Sequence, residues 1–224
     1  WYTADKPYKN RKVIKPMAIS VKQRVKVAGW AALAVAVASS PVTVSAIADT
    51  ENTVINATVD AVISVTTGTP IAISLTPTAG GVVSSASDTV TVNTNNSAGY
   101  ELTLKDTDTS SNLVSGGNNI TPTSGTMAAS TTLSNGNWGF AIATGTTGAE
   151  TNNFDASYST ETNNASSTSK WAGMPTSSGT AYKLKDTSTT ATNDTTTVWY
   201  AARVNTSQAS GTYTDTVTYT ATTN

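Results

Sequence analysis

Short runs in which apolar and hydroxyl-bearing residues alternate recur along the chain from residue 53 onward. A spacing of two places alternate side chains on opposite faces of a pleated strand, so these runs predict β-strands with one buried and one exposed face. The clearest run lies near the end of the sequence, where Tyr213, Val217, Tyr219 and Ala221 share one parity, threonines occupy the other, and only Asp215, on the apolar parity, breaks the pattern. Threonine, valine and tyrosine also fit a half-buried sheet. We therefore predict an all-β protein.

Turn signals made of Gly, Pro, Asn and Asp separate the other predicted strands. The predicted strands cover residues 53–66, 71–77, 88–94, 99–105, 137–143, 182–184, 198–204 and 211–221. Residues 95–99 tolerate positive φ, so we expect 88–94 and 99–105 to form a hairpin. Strand 198–204 is apolar on both faces and is expected to lie centrally. This number of short strands is typical of an antiparallel, immunoglobulin-like or pilin-like β-sandwich.

The N-terminal region has the pattern of a secretory signal peptide over residues 17–48. A basic stretch, 22–26, precedes the apolar run 27–38, and small residues follow up to Ala46 and Ala48. We expect cleavage after Ala48 or, failing that, after Ala46. The apolar run is shorter than the roughly 20 residues that span a bilayer, so we expect membrane contact only during export.

The domain organisation follows from this signal. Residues 1–16 precede Met17 and begin with Trp, so we expect them to be upstream translation or the edge of a fragment. Residues 49–224 are predicted to form a single β-sandwich domain. Its stretch 144–180 is polar and weakly patterned, and so long a loop is uncommon in a compact domain. We expect short strands or a turn of helix within it.

Charge and composition reduce the number of function classes that the chain could belong to. Residues 49–224 carry five Lys or Arg and thirteen Asp or Glu, a net charge of −8, which argues against nucleic acid as a partner. The chain has no Cys and no His, and it therefore lacks the commonest catalytic base, the best nucleophile and the usual zinc ligands. We predict no enzymatic activity, no catalytic residues and no cofactor.

Three side chains are candidates for a site. Asp106 and Asp108 supply alternate carboxylates, which could serve a glycosidase or begin a calcium loop, although the glycine and distal acid of that loop are missing. The simpler interpretation is that these acids solvate an exposed loop, so we predict no metal site. Trp171 lies in the polar stretch and could stack on a sugar ring. Trp138 and Tyr100 lie in alternating runs and are predicted to belong to the core.

Three stretches together carry a family resemblance. They are residues 88–104 (Asp-Thr-Val-Thr-Val-Asn-Thr-Asn-Asn-Ser-Ala-Gly-Tyr-Glu-Leu-Thr-Leu), 135–140 (Asn-Gly-Asn-Trp-Gly-Phe), and 194–205 with 211–219 (opening Gly-Thr-Tyr). Over roughly 85–224 the chain resembles secreted β-domain surface proteins of Saccharibacteria and related bacteria. More distantly, it is similar to WxL-type surface domains and to spore-coat-U/pilin-like β-sandwich domains. Phe140 stands where the WxL motif has Leu, and Tyr219 replaces its distal Trp.

This resemblance implies a secreted domain at the bacterial cell surface. We predict a non-catalytic structural or adhesion function, with other cell-surface proteins or cell-wall glycan as partners. One alternative is a pilin-like subunit that forms a homo-polymer by strand exchange through residues 53–66. A second alternative is a carbohydrate-binding module or a glycosidase.

Overall fold

The computed structural model describes residues 49, 51–68, 70–155, 158, 166 and 168–224. The predicted signal peptide and residues 1–16 lie outside the described residues. The chain divides into two compact units, Trp1–Val54 and Ile55–Asn224, and all the described strands belong to the second. None of the described helical structure is long and apolar enough to cross a bilayer.

The regular secondary structure of the described residues is almost entirely β-strand, which confirms the all-β prediction. The strands are β1 (Ile63–Thr66), β2 (Val82–Thr94), β3 (Tyr100–Asp106), β4 (Leu113–Ser115), β5 (Asn118–Pro122), β6 (Thr131–Thr132), β7 (Asn137–Ile142), β8 (Lys170–Trp171), β9 (Tyr182–Asp186), β10 (Ala191–Val204) and β11 (Val217–Thr223). Every pairing between them is antiparallel except that of β5 with β7.

The strands form one large sheet and two small ones. The large sheet has the order β1-β2-β10-β7-β5-β4, a second sheet has the order β11-β3-β9, and β6 pairs with β8. Strand β10 is bonded to β2 on one side and β7 on the other, which confirms that 198–204 is central. Its side chains Val198 and Ala201 are fully buried, as a strand covered on both faces requires.

Side chains of the two larger sheets meet in one hydrophobic core. Val90 of β2 and Leu104 of β3 are fully buried, and the rings of Phe140 and Tyr182 lie 5.5 Å apart between β7 and β9. Tyr200 of β10 hydrogen-bonds Tyr219 of β11 through their hydroxyl groups at 2.6 Å. The predicted alternation therefore identifies the buried faces of these strands correctly.

The predicted hairpin of 88–94 with 99–105 is wrong. Strand β2 is bonded on its two edges by β1 and β10, and β3 by β11 and β9, so the two strands belong to different sheets. Residues 95–99 therefore form an arch between sheets. Gly99 adopts a φ of +87°, so the expected positive φ is present, but it serves the arch.

Three further boundaries differ from the prediction, and one expectation for the polar stretch is met. The first strand is confined to Ile63–Thr66, because β2, its partner, ends at Thr94. Residues 71–75 alternate between half-buried and exposed as expected but form no strand. The last strand begins at Val217 and not at residue 211. Within 144–180, β8 is the short strand that the length of that stretch led us to expect.

Candidate functional site

Three aspartates converge where β3 ends and β11 begins. Asp106 is the last residue of β3 and shares the buried parity of Leu102 and Leu104, so its side chain is completely buried. Asp108 follows on the exposed loop, and Asp215 is half-buried just before β11. One carboxylate oxygen from each residue lies within 4.8 Å of the others. We call these three residues the aspartate cluster.

The strand register explains why these residues meet. In the antiparallel pair of β3 and β11, Val217 lies opposite Asp106, so the residues before β11 run alongside those that follow β3. Thr107 continues the pairing, because its backbone N–H donates to the Thr216 carbonyl at 3.1 Å. Asp215 is thereby carried next to Asp106 and Asp108.

Backbone amides satisfy only part of the cluster. Asp106 Oδ1 accepts from the Asp108 amide at 2.8 Å, Asp108 Oδ1 from the Ser110 amide at 2.7 Å, and Asp215 Oδ1 from the Thr216 amide at 2.7 Å. The second oxygens of Asp106 and Asp215, both Oδ2, are buried without a hydrogen-bond partner. A buried carboxylate oxygen without a donor is costly, so these two oxygens favour a proton or a cation beside them.

Electrostatics point the same way. Removal from water raises the pKa of Asp215 to about 7, and the hydrogen bond from the Thr216 amide opposes this rise. Asp106 adds to the rise both as an acceptor for the protonated Asp215 and through its negative charge, and the charge of Asp108 adds further. The ion pairs found among the described residues join Lys183 and Lys185 to acids outside the cluster. The cluster is therefore a site of concentrated negative charge that these lysines do not neutralise.

The structure brings together Asp106 and Asp108, the two candidates named from the sequence. It adds Asp215, which was not predicted as a site residue. The one signal for Asp215 is that it is the charged residue on the otherwise apolar parity of the last predicted strand. The interpretation of Asp106 as a solvated loop acid is wrong, since it is completely buried. For the same reason, Asp106 and Asp108 do not present two carboxyl groups to a sugar, as a glycosidase would need.

The position of Trp171 contradicts the expectation that its ring could stack on a sugar. Its side chain is fully buried, and its ring packs edge-on against Tyr158 at 5.1 Å. The next residue, Ala172, exchanges two backbone hydrogen bonds with Phe140 of β7, which draws this part of the polar stretch into the core. Trp171 therefore offers no face on which a sugar could stack. Trp138 and Tyr100, predicted as core residues, are both buried.

A second feature lies at the other end of the domain. Ile55, Val59 and Val62 are 89%, 82% and 64% exposed. They belong to residues 55–62, which form no strand and which we call the apolar segment. Its odd-numbered positions are all apolar, and this parity continues without a break into Ile63 and Val65 of β1. The apolar segment is thus a strand-like sequence without a neighbouring strand among the described residues.

The geometry around Asn95 explains where strand pairing stops. Val62 N–H donates to Asn95 Oδ1 at 2.7 Å, and Asn95 Nδ2 donates to the Asp60 carbonyl at 2.9 Å. Strand β2 ends at Thr94, and the chain then turns into the arch toward β3. The apolar segment therefore runs past the end of its own sheet.

No protein family, curated protein or solved structure matches this chain. The resemblance to bacterial surface domains stays a prediction, and the aspartate cluster and the apolar segment are the features of the molecule that bear on its function.

Proposed function

We propose that the chain is a non-catalytic structural or adhesion domain of the bacterial cell surface, secreted and built as an immunoglobulin-like β-sandwich. The observation that carries the proposal is the exposure of the apolar row on the odd-numbered positions of the apolar segment, Ile55, Ala57, Val59 and Ala61. A contiguous exposed apolar row is uncommon on a monomeric soluble domain and marks a surface for interaction. Partners of the proposed class are other cell-surface proteins or cell-wall glycan.

The same segment favours a more specific form of this function, in which copies of the chain join by strand exchange through residues 53–66. Strand addition needs a donor with free backbone groups and alternating apolar side chains. Residues 55–59 of the apolar segment have both, since the hydrogen bonds to Asn95 hold only Asp60 and Val62. It also needs an acceptor edge. Strand β2 pairs with β1 only from Thr91 to Thr94, so residues 86–90 have no strand on that side within the described chain.

Burial of the apolar row would contribute part of the free energy of such a contact. Full burial of an Ile or Val side chain contributes about 1.5–3 kcal/mol. Ile55 and Val59 together therefore supply roughly 3–6 kcal/mol before backbone hydrogen bonds are counted. Loss of about 2.8 kcal/mol of this weakens an association roughly 100-fold.

The oligomeric state of the exported, purified chain tests this proposal. We expect light scattering after gel filtration to show self-association that rises with concentration, with assemblies that resist mild denaturant. The double variant Ile55→Asp/Val59→Asp should be monomeric. The matched control, Asn56→Asp/Thr58→Asp, adds the same charge on the opposite parity and should assemble normally.

Two other outcomes are informative. A monomer whose binding to cell-wall glycan or surface protein is lost in Ile55→Asp/Val59→Asp supports adhesion without strand exchange. Self-association or binding that is equal in both double variants overturns the role of the apolar segment. Turnover of a polysaccharide by the purified chain would overturn the non-catalytic assignment.

A further inference from the structure

We propose that Asp106, Asp108 and Asp215 form a calcium-binding site that fastens the start of β11 to the end of β3. The cluster alone would not suffice for this assignment, because exposed acids often lie near one another. The additional observation is Asp106, whose side chain is completely buried while its Oδ2 has no hydrogen-bond partner. A buried, unsatisfied carboxylate oxygen beside two other carboxylates marks a place for a positively charged ligand.

The arrangement of oxygens fits this ligand. With Asp106 Oδ1 and Asp215 Oδ1 held by backbone amides, the two unpartnered Oδ2 atoms remain as ligand atoms. The three carboxylates lie within 4.8 Å of one another. Calcium binds oxygens at about 2.3–2.6 Å, so ligands on opposite sides of the ion are separated by up to about 5 Å. One ion can therefore contact all three residues.

Calcium is the cation that this chemistry selects. The ligand set consists only of oxygens, which excludes the sulfur and imidazole sites typical of zinc. Magnesium demands near-ideal octahedral geometry at about 2.0–2.1 Å and keeps several waters, so it usually contacts one or two carboxylates and not three. Calcium accepts irregular shells of six to eight oxygens, and the exposed position of Asp108 leaves room for water to complete such a shell.

The site has a structural consequence. It joins residues far apart in sequence, because Asp106 ends β3 while Asp215 precedes β11, the outer strand of its sheet. Bound calcium would replace the repulsion among three carboxylates by attraction at the point where this strand begins. The ion would stabilise the folded chain by mass action. Extracellular calcium modules bind in the range of about 10⁻⁴–10⁻³ M, and we expect an affinity of this order.

Thermal unfolding of the exported chain, first stripped with a chelator, tests the site. We expect the midpoint to rise with millimolar CaCl₂ and to stay unchanged with MgCl₂ at the same ionic strength. Isothermal titration with CaCl₂ should show one site. Asp108→Asn and Asp215→Asn should each weaken that binding by at least ~10-fold. The control variant Glu51→Gln removes one negative charge at an exposed position outside the aspartate cluster and should leave calcium binding unchanged.

The exposed and half-buried members of the aspartate cluster, Asp108 and Asp215, can be substituted with less risk of misfolding than the buried Asp106. Asp108 is exposed, so Asp108→Asn should fold normally, whereas substitution of the buried Asp106 could prevent folding for unrelated reasons. The proposal is overturned if calcium leaves the wild-type midpoint unchanged. It is equally overturned if Asp108→Asn and Asp215→Asn keep the full calcium response, since the ion would then bind elsewhere.

Discussion

Replacement of Gly99 by alanine adds only one methyl group but should destabilise the fold strongly, because Gly99 closes the arch between β2 and β3. Its φ is +87°, in the region that favours glycine. An added Cβ would lie 2.1 Å from the carbonyl oxygen of Thr187. Thr187 in turn donates its N–H to the Tyr100 carbonyl at 2.9 Å and accepts from the Tyr100 N–H through Oγ1 at 3.1 Å.

The magnitude follows from these contacts. The left-handed conformation costs an alanine about 1–2 kcal/mol. Relief of the overlap requires Thr187 and Tyr100 to move apart, which sacrifices two hydrogen bonds worth about 1 kcal/mol each. We expect Gly99→Ala to lower the free energy of unfolding by roughly 3–4 kcal/mol. The total stability of a domain is typically about 5–15 kcal/mol, so this loss is a large fraction of it.

Gly145 provides the matched control. Its φ is +83°, it is exposed, and a Cβ added there would meet no atom within 4 Å, so Gly145→Ala carries the conformational cost alone. We expect a loss of about 1–2 kcal/mol. Urea unfolding followed by tryptophan fluorescence measures both variants, and changes in the unfolded chain cancel in the comparison. Equal losses in Gly99→Ala and Gly145→Ala would refute the close approach of the arch to Thr187.

Three further predictions concern other parts of the domain. Tyr219→Phe removes one partner of the hydroxyl pair with Tyr200 and should cost about 1 kcal/mol in urea unfolding, with no change in the secondary structure seen by circular dichroism. Asn95→Ala removes the side chain that holds Val62 and Asp60, so limited proteolysis within the apolar segment should accelerate while the unfolding midpoint stays nearly constant. In chelator, the raised pKa of Asp215 contributes stability that is fully present below about pH 4 and is lost as the pH rises through about 7. The full shift corresponds to about 4 kcal/mol, which partial exposure reduces to about 1–2 kcal/mol. Asp215→Asn should remove this fall in the free energy of unfolding between about pH 4 and about pH 7, and an unchanged pH dependence would contradict the prediction.

The sequence predicts buried faces well and strand neighbours poorly. Alternation identifies Val90 and Leu104 as core residues, because a spacing of two determines which side of a strand a residue occupies. It says nothing about which strand lies alongside. A short loop with a positive-φ glycine suits a hairpin or an arch equally, and the choice depends on β10, which pairs with β2 from far along the chain.

Two of the three aspartates of the candidate site could be predicted from the sequence, because the third depends on which strands are neighbours. Asp106 and Asp108 are neighbours in sequence, but Asp215 joins them through the register of β11 against β3, which no local pattern reveals. The prediction for Trp171 was wrong because its surroundings in sequence are polar. Large aromatic side chains without periodicity, here Phe154 and Tyr158 with Trp171, nevertheless fill the core beside Phe140, since each buries more area than several small residues.

The aspartate cluster and the apolar segment lie toward opposite ends of β3, and this placement separates their roles. Asp106 ends β3, whereas Tyr100 begins it, next to the arch whose Asn95 holds Val62. A strand of this length extends over about 20 Å, too far for an ion at one end to contact a partner strand at the other. Calcium should therefore raise the unfolding midpoint without changing the oligomeric state, and Ile55→Asp/Val59→Asp should change the oligomeric state without altering calcium affinity. If calcium alone drove assembly, the ion would have to bridge copies at the cluster, and the apolar segment would not be the contact.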